Sequence, residues 1–365
     1  MTKRLLAYLL CGAALLAGGL GAAAPASARH SVHLVHAGQS IQQAVDAAEP
    51  GDTVLVLPGT YRESVKVTTP GITLRGTGRE TVIRPGSTPV TQTATGTRAP
   101  RAAVSCAEGG NGICVIGTKD KNVQDVTVAD LTVTGFARSG VFAMASEGLT
   151  VRHVTSVKNG VWGISVERSV HALIRHNTVR DNGDAGVFLA NTIKAEEGAA
   201  DTHGTLVERN RLEGNRIGVT VRRLRNLTVA ANLLTGNCAG VFVVGDENKP
   251  KAGALTVRDN QVLRNNKSCP KTDRLPALQG SGIVLTGTER VLVTGNDVRE
   301  NAGASPLSGG IVLFKSFVGV TGDDNRISGN RLADNAPADL VNTDTGLHNT
   351  FEGNTCRASR PAGMC

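Results

Sequence analysis

NRLEGNRIGVTV, Asn210 to Val221, sets two asparagines five residues apart and a glycine three residues beyond the second. The five-residue spacing recurs at Asn177/Asn182, Asn232/Asn237, Asn260/Asn265, Asn296/Asn301 and Asn330/Asn335. A Val or Ile stands three residues before the first member of each pair: Ile174, Val207, Val229, Val257, Val293 and Ile327. The series reaches upstream to Val128 and Val151, and it ends near Phe351 with Asn354. Successive anchors lie 23, 23, 33, 22, 28, 36, 34 and 24 residues apart. A basal unit of about 22 residues with insertions explains all of these steps, and internal periods in this range identify a solenoid.

The segments between asparagines alternate over short lengths, as in LTV (227–229) and GVTV (218–221). No stretch after residue 50 carries a capped helical period. Three short strands per repeat, separated by Asn and Gly corners, describe a single-stranded right-handed parallel β-helix. About ten to twelve coils at the strand spacing of about 4.8 Å give a rod on the order of 50 Å long. Equivalent residues then sit one above another, and each corner Asn can donate its amide to the Asn carbonyl of the next coil. The residue before the first Asn is Gly295, Gly329, Gly353 or Asp259 in four coils, types that tolerate φ > 0.

Composition agrees with thin, repeated layers: aromatics are 3% of 365 residues, and glycine numbers 44. Residues 1–28 read as a signal peptide, with Lys3 and Arg4, an apolar run and Ala26-Ser27-Ala28 as the cleavage pattern. The β-helix domain is then 29–365. Losing Lys3 and Arg4 lowers the net charge from +8 to +6. That excess favours acidic partners such as uronic-acid polysaccharide or cell-wall glycan. Basic residues interleave with acids, which disfavours nucleic acid. No later apolar run is long enough to span a bilayer. The expected product is a secreted monomer.

Six cysteines remain after the leader, and an even count in an exported chain indicates disulfides. Fifteen pairings exist; proximity favours Cys106–Cys114, Cys238–Cys269 and Cys356–Cys365. SIQQAVDAAEPG (40–51) predicts a capping helix over 40–49, with Ser40 and Gln43 as a capping box and Pro50-Gly51 as its stop.

The stretch SIQQAVDAAEPGDTVLVLPGTYRESVKVTTPGITLRGTG (40–78), followed by the Asn coils, resembles the right-handed β-helix repeat proteins of the pectin-lyase-like superfamily, including the NosD-like group. The resemblance covers 37–356. It implies the fold and leaves the chemistry open, because that scaffold hosts lyases, hydrolases, epimerases and non-catalytic proteins. NosD-like proteins are linked to copper-enzyme maturation. With two methionines left after the leader and the cysteines paired, no copper site is read here.

Alternation places function on the strand after the corner glycine. In GISVER (163–168) Ile164 and Val166 point in, so Ser165 and Glu167 point out. The same phase turns Phe142, Phe188 and Phe242 outward in one column, with Trp162 at the adjacent corner. Such rings can stack on sugars, or insertions can fold over them. Beside them lie Glu167, Arg168, Asn191, Arg222 and Arg223, with the insertion 192–204 and its Lys194 hanging above. An arginine pair matches carboxylate geometry. In a uronate lyase, Arg222 or Arg223 would neutralise the substrate carboxylate and Lys194 would remove the C5 proton. In a hydrolase, Glu167 would need a second carboxylate, and Asp184 is the one at hand.

Tyr61 is the one tyrosine outside the leader, which disfavours Tyr/His lyase sites. NTD (342–344) lacks the further elements a polygalacturonase would need. Asp130, His153 and His176 align one coil apart but occupy the corner position, so they read as turn residues. Asp323-Asp324 and Asp246-Glu247 have the chemistry of calcium ligands, without a repeated acidic loop to support it; no cofactor or metal is expected. The reading is a secreted β-helix that acts on or binds acidic polysaccharide, with β-elimination as the first chemistry to test. A non-catalytic glycan-binding or structural surface protein is the alternative.

Overall fold

The structure is a computed structural model that describes residues 30–86, 105–118, 120–192 and 197–365. The leader lies outside them. Three parallel sheets of 12, 10 and 11 strands run the length of the molecule, and each complete coil gives one strand to each sheet. In the opening stretch, Arg211–Glu213 belongs to the second sheet and Ile217–Arg222 to the third; Leu224–Ala230 then returns to the first. The anchors read from the sequence pair in one continuous register, from Val128 through Val151, Ile174 and Val207 to Ile327 and Phe351. All but the half-buried Phe351 are closed from solvent.

The asparagines form two ladders, one at each end of the second sheet. Asn210 Oδ1 accepts the main-chain N–H of Asn177 at 3.0 Å and its side-chain amide at 2.9 Å. The Asn210 amide donates in turn to Asn232 Oδ1 and to the Ile174 carbonyl, each at 2.9 Å. The first ladder runs from Asn177 to Asn354. The second starts one coil earlier, at Asn159, and closes on Asp339. A short third ladder, Asn325 to Asn349, stands at the corner between the third and first sheets; a single pair offers no repeat by which to find it in the sequence. Each such bond contributes about 0.5–1.5 kcal/mol net, and an unpaired buried amide costs more.

The residue before each first-ladder corner is left-handed: φ is 55° at His176, 52° at Arg209, 54° at Ala231, 55° at Asp259 and 66° at Gly295. His153 and Asp130 share this conformation one and two coils earlier, so all three residues of the aligned trio are turn residues, as expected. Gly218 answers a different need. A Cβ there would sit 2.6 Å from the Gly240 carbonyl and 2.6 Å from Leu234 Cδ2. Gly186 and Gly240 hold the equivalent place in neighbouring coils under the same close approach. Only a residue without a side chain lets the coils stack there.

The rod is closed at its N-terminal end by the helix Ile41–Ala47, which buries Ile41 and Val45. It ends two residues before the expected boundary. Ala48 is already extended, and Pro50 in turn disfavours the helical region at Glu49. Ser40 Oγ accepts from the Gln43 N–H at 3.3 Å, and Glu63 accepts from the Ile41 and Gln42 N–H groups at 2.8 and 3.1 Å. The Gln42 side chain then bonds both the N–H and the carbonyl of Lys66, which covers the edge of the third sheet. At the far end, Cys356–Cys365 folds the tail back, and Cys356 and Met364 pack on the core. The other two disulfides, Cys106–Cys114 and Cys238–Cys269, also join the pairs that proximity favours.

Asn215→Ala removes the acceptor for two N–H groups of Asn182 and the donor to Val179 O. Urea unfolding of this variant should lose about 2–4 kcal/mol; a change within the error of wild type would mean the ladder does not hold the coils. The first coil carries its own pH dependence. Asp52 is pulled from 3.8 to about 2, first by the hydrogen bond with His33 and then by the Ser31 and Glu49 N–H groups. A depressed carboxyl stabilises above its unfolded pKa and ceases to do so as pH falls through its folded one. Amide protection in Val32–Val35 should therefore fall as the pH drops below 3.8 toward 2. Asp52→Ala should show that loss already at neutral pH.

Candidate functional site

The third sheet confirms the assigned alternation. Val141, Ala143, Ile164, Val166, Val241 and Val243 lie in the interior core, whereas Phe188 and Phe242 belong to a separate outer cluster. Register places Cys114, Phe142, Ser165, Phe188, Thr220 and Phe242 in one outward column. The rings therefore recur every second coil, about 9–10 Å apart.

Of the two readings, insertions fold over two of the three rings. Phe142 is half-buried, but Phe188 and Phe242 are closed from solvent. The insertion after Asn265 forms a hairpin in which Cys269 and Leu278 bond each other at 2.9 and 3.0 Å. Cys238–Cys269 ties it to the coil, and Arg216 donates to the carbonyls of Pro270 at 2.7 Å and Pro276 at 3.3 Å. Leu278 joins the same apolar cluster as both rings, with Leu275 at its margin. Trp162 is likewise enclosed: it stacks on Phe188 at 4.5 Å, donates to Asp184 at 3.1 Å, and has the Arg138 guanidinium 5.0 Å from its ring centre. Between the rings, the Ser165 and Thr220 hydroxyls are buried and find no partner among the described residues.

The charged candidates are placed separately rather than as a clamp. Arg222 donates to the Thr192 carbonyl at 2.9 Å, while Arg223, left-handed at φ 52°, pairs with Asp246. Glu167 is buried, and Arg168 is exposed at the end of its strand. Asn191 is a loop anchor: its amide donates to Gly198 O at 2.8 Å and its oxygen accepts from the Thr192 N–H at 2.6 Å. Lys194 lies in 193–196, outside the described residues. The insertion does not hang over the third sheet throughout, because Ala200–Glu208 joins the first sheet and carries His203 there. Asp184 bonds Val161 at the start of the neighbouring strand, six residues before Glu167. At 3.3 Å per residue that is about 20 Å, outside the roughly 5–9.5 Å of a glycosidase pair. Burial raises the Asp184 carboxyl, against the Trp162 N–H and Arg216.

The acidic pairs read for calcium are engaged by cations: Asp246 meets Arg223, and Asp323 meets Lys251 at 2.5 Å.

A second place lies at the corner between the first and second sheets. Gly78, Arg79, Asp130, His153, Thr155, His176 and Thr178 border a hollow of about 280 Å³. His153 Nδ1 is 3.2 Å from Asp130, and the two histidine rings are 5.5 Å apart. Arg75 and Arg152 also approach Asp130, at 3.4 and 3.6 Å. Arg79 and the threonines went unread in the sequence. The 23-residue recurrence of Thr132, Thr155 and Thr178 was the signal available for them.

Two family models match the chain: one described as a right handed beta helix region, over residues 103–262, and one as periplasmic copper-binding protein (NosD), over 191–360. No curated protein matches it. Among solved structures, an alginate lyase from Paenibacillus shares 14% identity at a TM-score of 0.52, covering 88% of this chain and 99% of its own. DFA-IIIase from Arthrobacter chlorophenolicus shares 14% at 0.56, over 85% of this chain and 78% of its own. The A-module of the Azotobacter vinelandii mannuronan C-5 epimerase AlgE6 shares 18% at 0.52, over 87% and 92%. The chain is a right-handed parallel β-helix repeat protein with the pectin-lyase-like fold.

Proposed function

We propose that this is an exported protein that binds acidic polysaccharide along the arginine-bearing edge of its first sheet. One observation carries the reading. Arg152 and Arg175 stand in register on adjacent strands, about 4.8 Å apart, and Arg209 follows at the next corner. Arg175 and Arg209 make no ion pair among the described residues. The adjoining column is hydroxyl-rich: Thr53, Thr73, Thr127 and Thr150 pair in sequence across four strands. A flat row of hydroxyls beside guanidinium groups, of which Arg152 also approaches Asp130 and Arg175 has Glu208 in register on its far side, suits a polymer rich in hydroxyl and carboxylate. Export rests on the leader and on three disulfides.

Binding is favoured over elimination because Arg222 and Arg223 are engaged by Thr192 and Asp246. Copper finds no fit. All six mature cysteines are in disulfides, and among the described residues no three His, Cys, Asp or Glu side chains are placed to hold a metal ion. No step through copper is drawn.

The protein should be retained on a polygalacturonate or alginate matrix at low salt and released as salt shortens the Debye length from about 10 Å at 0.1 M to about 3 Å at 1 M. Arg152→Ser combined with Arg175→Ser should elute earlier, and no unsaturated ends should accumulate. Passage through the column unretained would refute the binding reading. Absorbance from unsaturated products would replace it with a lyase.

A further inference from the structure

We infer that the hollow between the first and second sheets is a binding site for a single oxyanion, namely the carboxylate, sulfate or phosphate group of an acidic sugar. The inference rests on the reading above and gives it a specific seat.

The first argument is the balance of donors and acceptors. Around the hollow, the Arg79 guanidinium, the His176 ring and the Thr155 and Thr178 hydroxyls make no side-chain hydrogen bond or ion pair among the described residues. Guanidinium is a pure donor, a neutral imidazole keeps one N–H, and a hydroxyl can always supply one O–H. The one acid on the rim, Asp130, is already approached by Arg75, Arg152 and His153. The unsatisfied capacity is therefore for donating, and its complement is an acceptor-rich anion.

The second argument is potential. Arg175 and Arg209 flank His176, against the nearby Glu208. His176 sits below the ordinary histidine value, through burial first and then through His153, Arg175 and Arg209. Its ring is thus kept from charging first by burial and then by neighbouring positive charge, and an anion would relieve the second.

The third argument is size and stiffness. At about 280 Å³ the hollow falls at the lower limit of ligand pockets, about 300 Å³, so it accepts one sugar unit or one anionic group rather than a chain segment. Its walls are fixed. Val154 N–H donates to the ladder residue Asn177 at 2.9 Å, and Thr132 pins the Arg79 carbonyl at 3.0 Å. A neighbouring sugar would continue along the first sheet over Arg152 and Arg175.

An anion in the hollow raises the His176 pKa, so binding takes up a proton and tightens as pH falls through the histidine range. His153, Asp130, Glu208 and the surrounding arginines face the same space.

The test follows the histidine ring signals of the full-length mature protein by NMR. The probes are inorganic sulfate, galacturonate monomer and polygalacturonate. His176 should shift saturably with the two small ions, more strongly at lower pH. Arg79→Ser should weaken that response about tenfold, the worth of one charge-assisted hydrogen bond. Thr178→Val supplies a second variant that removes a donor with little change of shape. A His176 signal indifferent to all three probes, or equal responses in wild type and both variants, refutes the site. The two readings fail separately. Polymer binding with His176 unmoved removes the hollow and keeps the glycan reading. Saturable sulfate binding without polymer binding keeps the hollow and removes the glycan reading.

Discussion

The molecule depends on what one carboxamide does at a corner. An interior ladder Asn such as Asn210 accepts from the main chain and side chain of the coil before, donates to the coil after, and also bonds a carbonyl of the preceding coil. Three coils are thus held at one residue. Satisfying that geometry forces a left-handed residue immediately upstream, while the close stacking of the coils bars a side chain at the position of Gly218. It also fixes the five-residue distance between paired asparagines, because a three-residue strand such as Arg211–Glu213 must fill the space between two ladders. Stability in such an array is close to a sum over neighbouring coils, so a local defect in one rung is felt mainly by its neighbours.

Insertions obey the same constraint. The coil between Ile174 and Val207 gains its extra length at 191–199, between the third and first sheets; the coil between Val257 and Val293 gains it at 266–280, beyond the second ladder. Between the two asparagines of a pair nothing is inserted. In these coils the chain lengthens at the corner between the second and third sheets and at the one between the third and first, while the corner between the first and second sheets, where the first ladder runs, stays short. That asymmetry decides which faces are roofed. The third sheet carries the hairpin with Cys269 and Leu278, and its outward rings become a second, outer core.

This explains which parts of the sequence were readable. Anchor spacing, ladder membership, strand phase, cap and disulfide pairing all follow from local pattern, and each maps onto a short-range geometric demand. Openness does not. Phe188 and Phe242 point away from the coil interior as alternation requires, yet "away from the interior" becomes "away from water" only after the insertion is placed. The insertion itself held the hint, since it carries Leu275, Leu278 and a cysteine paired back to the coil. Asn191 shows the same limit: its polarity reads as a site residue, and its role is to hold the chain that follows it. The nine-residue strand Ala200–Glu208 was hidden because its register shifts between Asp201 and Thr205, which breaks the alternation by which a strand is recognised.

Stacking also gives charge a grammar that a linear reading misses. Residues one coil apart are neighbours, so ion pairs form up and down columns: Asp130 with His153, Glu147 with His171, Asp324 with His348. Exposed pairs of this kind contribute little stability, and their value is that they cancel local potential. Arg225 with Glu289 and Lys251 with Asp323 do the same at the corner between the third and first sheets. Against that rule, Arg175 and Arg209 stand in adjacent coils without an acid partner among the described residues, beside threonines and a neutralised Asp130. They do so at the corner between the first and second sheets, where the first ladder runs and these coils carry no insertion. A solenoid that needed an open, positively charged contact surface would have to put it there.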